Sequence, residues 1–157
     1  MAAAGPAGER SLEHILSDVG QPTTAGRLCH GDFTPSQVLF TGTGVSGLVV
    51  LDTACCGGPA VDLGRFLANL DLLTVKAGAE PTRSVLDANA DTFVSAYRQA
   101  CADREVERGL LHRVEVFRAL SLVRSALHAC RALKPGRLHL ALSLLDTAST
   151  RPGRIGP

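Results

Sequence analysis

The stretch His30-Gly-Asp-Phe-Thr-Pro-Ser-Gln-Val-Leu39 is a polar loop set between apolar segments. Two β-rich runs, Val38–Thr41 and Leu48–Leu51, come at its end, and the glycine-rich segment between them predicts a hairpin. Asp52 ends the second run, and a second loop leads to Gly57-Gly-Pro-Ala-Val-Asp-Leu-Gly-Arg65. These two loops hold the polar residues that packing explains least, so they form the candidate site.

Beyond the second loop the pattern becomes helical. Apolar residues recur every three or four positions and predict a helical block over 60–148. The expected helices are 61–75, 84–102, 106–132 and 136–148, and a short helix over 12–19 is expected before the first loop. Because strands and helices do not alternate, we predict an α+β, mostly helical fold rather than a parallel-sheet one.

Length and composition limit the class of protein. A chain of 157 residues with 45% hydrophobic residues predicts one folded unit, over 11–150, with a flexible N-terminus at 1–10 and a tail at 151–157. Sixteen basic residues against fifteen acidic ones predict no nucleic-acid partner. No apolar run is long enough to span a membrane and no secretory signal is visible, so we expect a cytoplasmic protein without membrane partners.

The five cysteines do not form the pattern of a disulfide framework or a zinc site. Their number is odd and they are scattered, so we predict small buried apolar residues. They are Cys29, Cys55, Cys56, Cys101 and Cys130.

Two aspartates carry the candidate chemistry. Asp52 is predicted at a strand end facing a loop-lined cleft, which is a common place for a metal ligand. Asp32 lies two residues after His30 and fits a general base. The alternative for both residues is that they cap turns, as aspartates often do.

Three motifs occur in order along this region. They are His30-Gly-Asp with Gln37 and Leu39 behind it, the pair Leu51-Asp52, and Gly-Pro-Ala-Val-Asp62-Leu. Together they resemble the phosphotransferase enzyme family of aminoglycoside phosphotransferases and choline-kinase-like enzymes, with its H-G-D-x-x-x-x-N-x-L, isoleucine–aspartate and G-x-P-x-x-D-L motifs. The resemblance implies the protein-kinase-like fold and covers about a quarter of the chain.

The resemblance also implies a role for each matching residue. Asp32 would be the catalytic aspartate that orients the substrate hydroxyl and accepts its proton, and His30 would hold the loop. Asp52 would bind the Mg²⁺ that bridges the phosphates of ATP, and Asp62 would hold the backbone amides of the catalytic loop. Gln37 stands where relatives carry the asparagine that is the second Mg²⁺ ligand.

We therefore expect the C-terminal lobe of a protein-kinase-like fold, with a catalytic-loop β-hairpin, from an ATP-dependent phosphotransferase acting on a small-molecule hydroxyl. The N-terminal lobe is expected to be absent, because the 29 residues before His30 contain no lysine. The segment Gly42–Val49 satisfies the kinase glycine-loop pattern, but it follows the H-G-D motif and predicts a hairpin turn. Whether such a truncated chain is an enzyme is left open.

Three alternatives remain for function: an active phosphotransferase, an inactive remnant or binding module, and a lobe that another chain completes. A partner chain or self-association would use the exposed lobe–lobe face, where Leu39, Phe40, Val49 and Val50 are the candidates for exposure.

The basic residues around the third long helix form either a solvated helix face or an anion-facing wall or docking surface. They are Arg108, Arg113, Arg118, Arg124, Arg131, Lys134 and Arg137.

Overall fold

The structure is a computed structural model and describes residues 27–78, 82–101 and 110–149. Within these ranges the strands are β1 (Arg27–Cys29), β2 (Val38–Thr41), β3 (Gly44–Leu48) and β4 (Cys55–Gly57). The α-helices of the same ranges are α1 (Pro59–Lys76), α2 (Arg83–Ala100), α3 (Leu110–Arg131) and α4 (Pro135–Ser149). The prediction of a mostly helical α+β chain is confirmed.

Some predicted segments lie outside the described residues. These are the short helix over 12–19, the N-terminus at 1–10 and the tail at 151–157. Within the described residues the long helices begin and end within a few positions of their predicted bounds. Proline at the first position of α1 and of α4 explains where both helices begin, since proline there loses no helical hydrogen bond.

The strands form two small antiparallel sheets. The hairpin pairs β2 with β3, and β1 pairs with β4. The predicted second strand of the hairpin, Leu48–Leu51, is wrong: the strand is Gly44–Leu48, and only Gly42 and Thr43 turn the chain. Gly42 has a φ of 62°, which a two-residue hairpin turn requires, so pairing starts directly after the turn.

The pairing of β1 with β4 joins residues that are distant in sequence. Cys29 lies opposite Cys55, and Arg27 lies opposite Gly57. Strands of three residues carry no periodic signal, so the sequence did not predict this sheet. Both the His30 loop and the Asp52 turn lie between β1 and β4 in the chain, so the pairing of these two strands brings the ends of that region together.

Helix α1 forms the centre of the core. One cluster of buried residues joins it to α2 and α3 through Leu63 and Leu67, and a second cluster joins it to α3 and α4 through Leu72. Gly64 marks the closest approach of α1 to α3. A Cβ atom there would lie 2.6 Å from the Val114 carbonyl oxygen, so only glycine fits.

The buried face of α3 differs from the predicted one. Apolar periodicity over 106–132 predicts one apolar face with Leu110, Val114, Leu127 and Cys130 on it, but Leu127 and Cys130 are exposed. The buried stripe instead runs along Leu110, Val114, Arg118, Leu122, Ala126 and Ala129. A charged residue thus takes a central position on the packed face.

The predictions for Arg118 as part of a solvated basic face or an anion-facing wall are wrong. Its side chain is buried and binds the buried Asp71 of α1 through two hydrogen bonds, from Nε at 2.7 Å and from Nη2 at 2.8 Å. Nη2 also donates to the Leu86 carbonyl oxygen of α2 at 3.2 Å. Burial by itself lowers the pKa of Arg118, but the bonds and charge of Asp71 outweigh it and leave the pKa raised.

The cysteine prediction is correct only for Cys29, which is buried. Cys55, Cys56 and Cys130 are exposed, and Cys101 is half-buried. Cys55 and Cys56 lie on β4, in a sheet of only two strands, which has too little area to cover both faces of a strand. None of the described helices is both long and apolar enough to cross a membrane.

Candidate active site

Asp62 holds the backbone of the His30-Gly-Asp loop. Its carboxylate accepts a hydrogen bond from the His30 amide at 2.6 Å and another from the Gly31 amide at 2.9 Å. Asp62 lies in the first turn of α1, where the positive end of the helix dipole favours a carboxylate. This is the contact that the resemblance implies for Asp62, and it attaches the loop to the central helix of the core.

Gly31 allows the two loops to touch. It has a φ of +79°, and a Cβ atom there would lie within 2.1 Å of the Thr53 carbonyl oxygen. Thr53 also donates a hydrogen bond from its hydroxyl to the His30 carbonyl oxygen at 2.9 Å. The turn that carries Asp52 therefore lies directly against the backbone of the loop that carries Asp32.

The His30 side chain connects the loop to the exit of the hairpin. The ring is buried, and Nε2 lies 2.9 Å from the Val49 carbonyl oxygen. A carbonyl oxygen only accepts hydrogen bonds, so the Nε2 proton is present. That nitrogen is therefore occupied as a donor, which suits a residue that holds the loop rather than one that reacts.

Asp32 is bound on both carboxylate oxygens. Arg65 of α1 contacts Oδ1 from Nη2 at 2.5 Å, and Gln37 donates to Oδ2 from Nε2 at 3.3 Å. The Asp32 side chain is still 33% exposed, and a carboxylate has about four lone-pair positions. A substrate hydroxyl therefore has both access and an acceptor at this group.

Arg65 is the site residue to which the sequence assigned no role. Besides its contact with Asp32 it donates from Nη1 to the Gly31 carbonyl oxygen at 2.9 Å. The sequence feature that could have predicted this role is the spacing of Arg65 from Asp62. Arg65 follows Asp62 by three positions, so both side chains share one face of α1. Burial lowers the pKa of the Arg65 guanidinium and the Asp32 charge opposes this, but arginine stays protonated at any physiological pH.

Gln37 uses both ends of its amide inside the loop. Its Oε1 accepts a hydrogen bond from the Thr34 amide at 3.0 Å while Nε2 donates to Asp32. Thr34-Pro-Ser-Gln37 has the spacing of a helix capping box, and a short 3-10 helix begins at Pro35. Its contacts are those of a positioning residue; its role as a Mg²⁺ ligand stays a prediction.

Asp52 is not at a strand end, as the sequence predicted. It lies in the 3-10 turn Leu51–Thr53 and is exposed, and no described residue donates a hydrogen bond to it. The turn follows Val50, which has a φ of 63°, a strained conformation for a β-branched residue. Such strain needs support from neighbouring contacts, and the Thr53–His30 bond is one of them.

The arrangement of the aspartates limits the kind of magnesium site that they can form. Among the described residues, no group of three or more histidine, cysteine, aspartate or glutamate side chains is placed to hold a metal. Mg²⁺ in nucleotide sites commonly takes one or two carboxylates and completes its shell with waters and phosphate oxygens. The exposed carboxylate of Asp52 fits that use, whereas a site built from protein ligands alone does not.

A stack of aromatic rings connects the loop to the helices. Phe33 stacks on Phe66 of α1 with ring centres 4.8 Å apart, and Phe66 stacks on Phe93 of α2 at 4.4 Å. Phe66 is the middle ring of this stack. It is half-buried, and its ring contacts pack the loop against α1 and α2.

Of three comparisons with known proteins, the one with models of protein families found a match. Neither the curated proteins nor the solved structures gave a match. The model of the Phosphotransferase enzyme family matches residues 7–110, about two thirds of the 157 residues, and that range contains both loops and α1. The chain therefore belongs to the phosphotransferase enzyme family.

Proposed function

We propose that this chain transfers the γ-phosphoryl group of ATP to a hydroxyl group of a small molecule, as the C-terminal lobe of a protein-kinase-like fold. The carrying observation is Asp32, held on both oxygens yet one-third exposed, in a chain of this family. Phosphoryl transfer depends mainly on positioning and on charge neutralisation. A carboxylate held by one side chain of α1 and one of the 3-10 helix meets the first requirement.

In this proposal each residue has one task. Asp32 orients the acceptor hydroxyl and takes its proton, which typically contributes about 10²–10⁴-fold. Asp62, Gln37 and Arg65 keep Asp32 in place. Asp52 would hold the Mg²⁺, whose chemistry is to neutralise the charge of the nucleotide phosphates.

Binding of Mg-ATP tests the metal assignment. Calorimetry on the full chain should detect binding at or below about millimolar ATP. Asp52→Asn should weaken it by about tenfold or more, since a ligand to the ion is lost. Asp91→Asn removes the same charge from an exposed position on α2 and should change nothing.

Release of phosphate from Mg-ATP to water tests the assignment of Asp32 without knowledge of the acceptor. Asp32→Asn should leave Mg-ATP binding unchanged and reduce phosphate release by about 10²-fold or more. Unchanged release would show that Asp32 is not the base. Absence of Mg-ATP binding at millimolar concentrations would contradict activity of the chain by itself.

A second candidate, a lobe or binding module completed by another polypeptide, is supported by the apolar surface of the hairpin. The exposed fractions are 66% for Phe40, 65% for Val45 and 46% for Leu39. Val49, also expected to be exposed, is half-buried. Large exposed apolar side chains close together are typical of interfaces.

Sedimentation velocity tests this second candidate. If the hairpin surface is an interface of this chain, the protein should associate with rising concentration and Phe40→Ser should shift it toward monomer. Leu133→Ser is the control, because Leu133 is 87% exposed and does not belong to the hairpin but follows the end of α3. Association that is equal in both variants would place the contact elsewhere.

A further inference from the structure

A second polar depression lies beside the candidate active site. The start of the 3-10 helix at Pro35, the second half of α1 and the first turn of α4 enclose a pocket of about 170 Å³. Its polar lining comes from all three elements. The polar lining residues are Thr34, Ser36, Asn69, Lys76 and Arg137.

The charged side chains that line this pocket are all basic. Lys76 and Arg137 both line it, and no lining residue among those that the structure describes is acidic. Arg137 lies in the first turn of α4, and the first turn of that helix contains no acidic residue. The positive end of the helix dipole therefore adds to the two cations.

Arg137 has an unused donor. Its Nε atom is buried from solvent, and no described residue accepts a hydrogen bond from it. Buried donors in folded proteins nearly always have a partner, and an exception calls for an explanation such as a bound ion. The Thr34 and Ser36 hydroxyls, 2.9 Å apart, lie in the same lining and add rotatable donors.

The size of the pocket limits the occupant. Water occupies about 30 Å³ per molecule, so the space is equal to about six waters. Pockets for whole drug-sized ligands have volumes of about 300–1,000 Å³. The pocket therefore suits a single polar group better than a complete cofactor.

We propose that this pocket binds a phosphate group, either free or carried by a small molecule. The guanidinium of Arg137 provides paired donors, Lys76 a point charge, and the hydroxyls of Thr34 and Ser36 further donors. Donors from three elements match the several oxygens of a tetrahedral anion better than the two oxygens of a planar carboxylate. The site does not depend on phosphoryl transfer at Asp32.

NMR titration of the full chain with inorganic phosphate at constant ionic strength tests this site. The Arg137 Nε resonance and the Ser36 and Lys76 amides should shift saturably. Arg137→Gln and Lys76→Gln should each weaken binding about tenfold, since each removes one ionic contact. Arg98→Gln removes an equal charge from an exposed position on α2, which does not line the pocket, and should have no effect.

Titrations with two other compounds identify the class of ligand. Glycerol phosphate that binds more tightly than inorganic phosphate assigns the site to a phosphate ester, and the reverse order assigns it to the free ion. Acetate that binds as well as phosphate overturns the proposal. Chemical-shift changes that do not saturate would also overturn the proposal. The same holds if Arg98→Gln weakens phosphate binding as much as Lys76→Gln does. Lys76 is exposed at the end of α1, so its variant keeps the test valid even if Arg137→Gln perturbs folding.

Discussion

Between residues 27 and 58 only Cys29, His30 and Gln37 are buried, whereas α1 alone buries an apolar stripe along most of its length. The loop region is held by individual polar contacts to α1, mainly through Asp62 and Arg65. The helical region is held by packed area and by one buried ion pair. The difference predicts that changes in the helices affect the whole fold, whereas changes in the loops affect the site alone.

Loss of the buried ion pair should have the largest effect. Arg118→Ala removes the cation that hydrogen-bonds the buried Asp71 carboxylate and should lower the free energy of unfolding by about 3–5 kcal/mol. Urea denaturation followed by circular dichroism measures it. Arg124→Ala, at an exposed position on the same helix, should stay within about 0.5 kcal/mol. Replacement of the pair together by Arg118→Met and Asp71→Leu should recover most of the loss, and no recovery would contradict a purely electrostatic cause.

Gly64→Ala should have the next largest effect. The new methyl group would lie 2.6–2.7 Å from atoms of Val114, Arg118 and Phe117, so α1 and α3 must move apart. We expect a loss of about 1–3 kcal/mol in the same denaturation experiment. Gly136→Ala is the matched control, because a methyl group at that position of α4 meets nothing within 4 Å. Equal stability of the two variants would show that the α1–α3 contact is not tight.

Asp62→Ala should affect the loops more than the helices. It removes both acceptors of the His30 and Gly31 amides, which is worth about 1–3 kcal/mol locally. Hydrogen exchange should become faster at these two amides while the amides of α3 keep their protection. Asp91→Ala, exposed on α2, should leave both sets unchanged. Faster exchange throughout α3 would contradict the separation of the two regions.

Cysteine labelling tests the difference between the loop region and the helical region with the smallest perturbation of the protein. Burial raises the pKa of the Cys29 thiol to about 11, so very little of it is thiolate at pH 8, and burial also shields it from reagents, whereas Cys55, Cys56 and Cys130 are exposed. Iodoacetamide with mass spectrometry should therefore label Cys29 last. Cys29 labelling as fast as that of Cys130 would mean that the β1–β4 sheet opens readily.

The same thiol sets an alkaline limit on stability. Its folded-state pKa of about 11 is above the ordinary value of 9.0, so between these values the folded chain retains a proton that the unfolded chain loses. The stabilisation is therefore complete below pH 9 and falls as the pH rises toward 11. Denaturation as a function of pH should show this fall, and Cys29→Ala should reduce it.

Much of the architecture was predictable because its signals are local. The approximate bounds of α1 to α4 follow from apolar periodicity, and Pro135 marks the start of α4. The order of the motifs around Asp32, Asp52 and Asp62 identified the family, and the family model over residues 7–110 confirmed it. What the resemblance could not supply was the use of Arg65, because a salt bridge to Asp32 depends on how α1 lies against the loop.

The sequence by itself determined the helices, the family and the residues that carry candidate chemistry, because each depends on spacing along the chain. The tertiary structure alone decided three other features. It buried Arg118 against Asp71, placed the glycine-rich segment in β3, and exposed most of the cysteines. All three depend on which surface meets which, and the strength of burial and of ion pairing is set by that contact rather than by residue type.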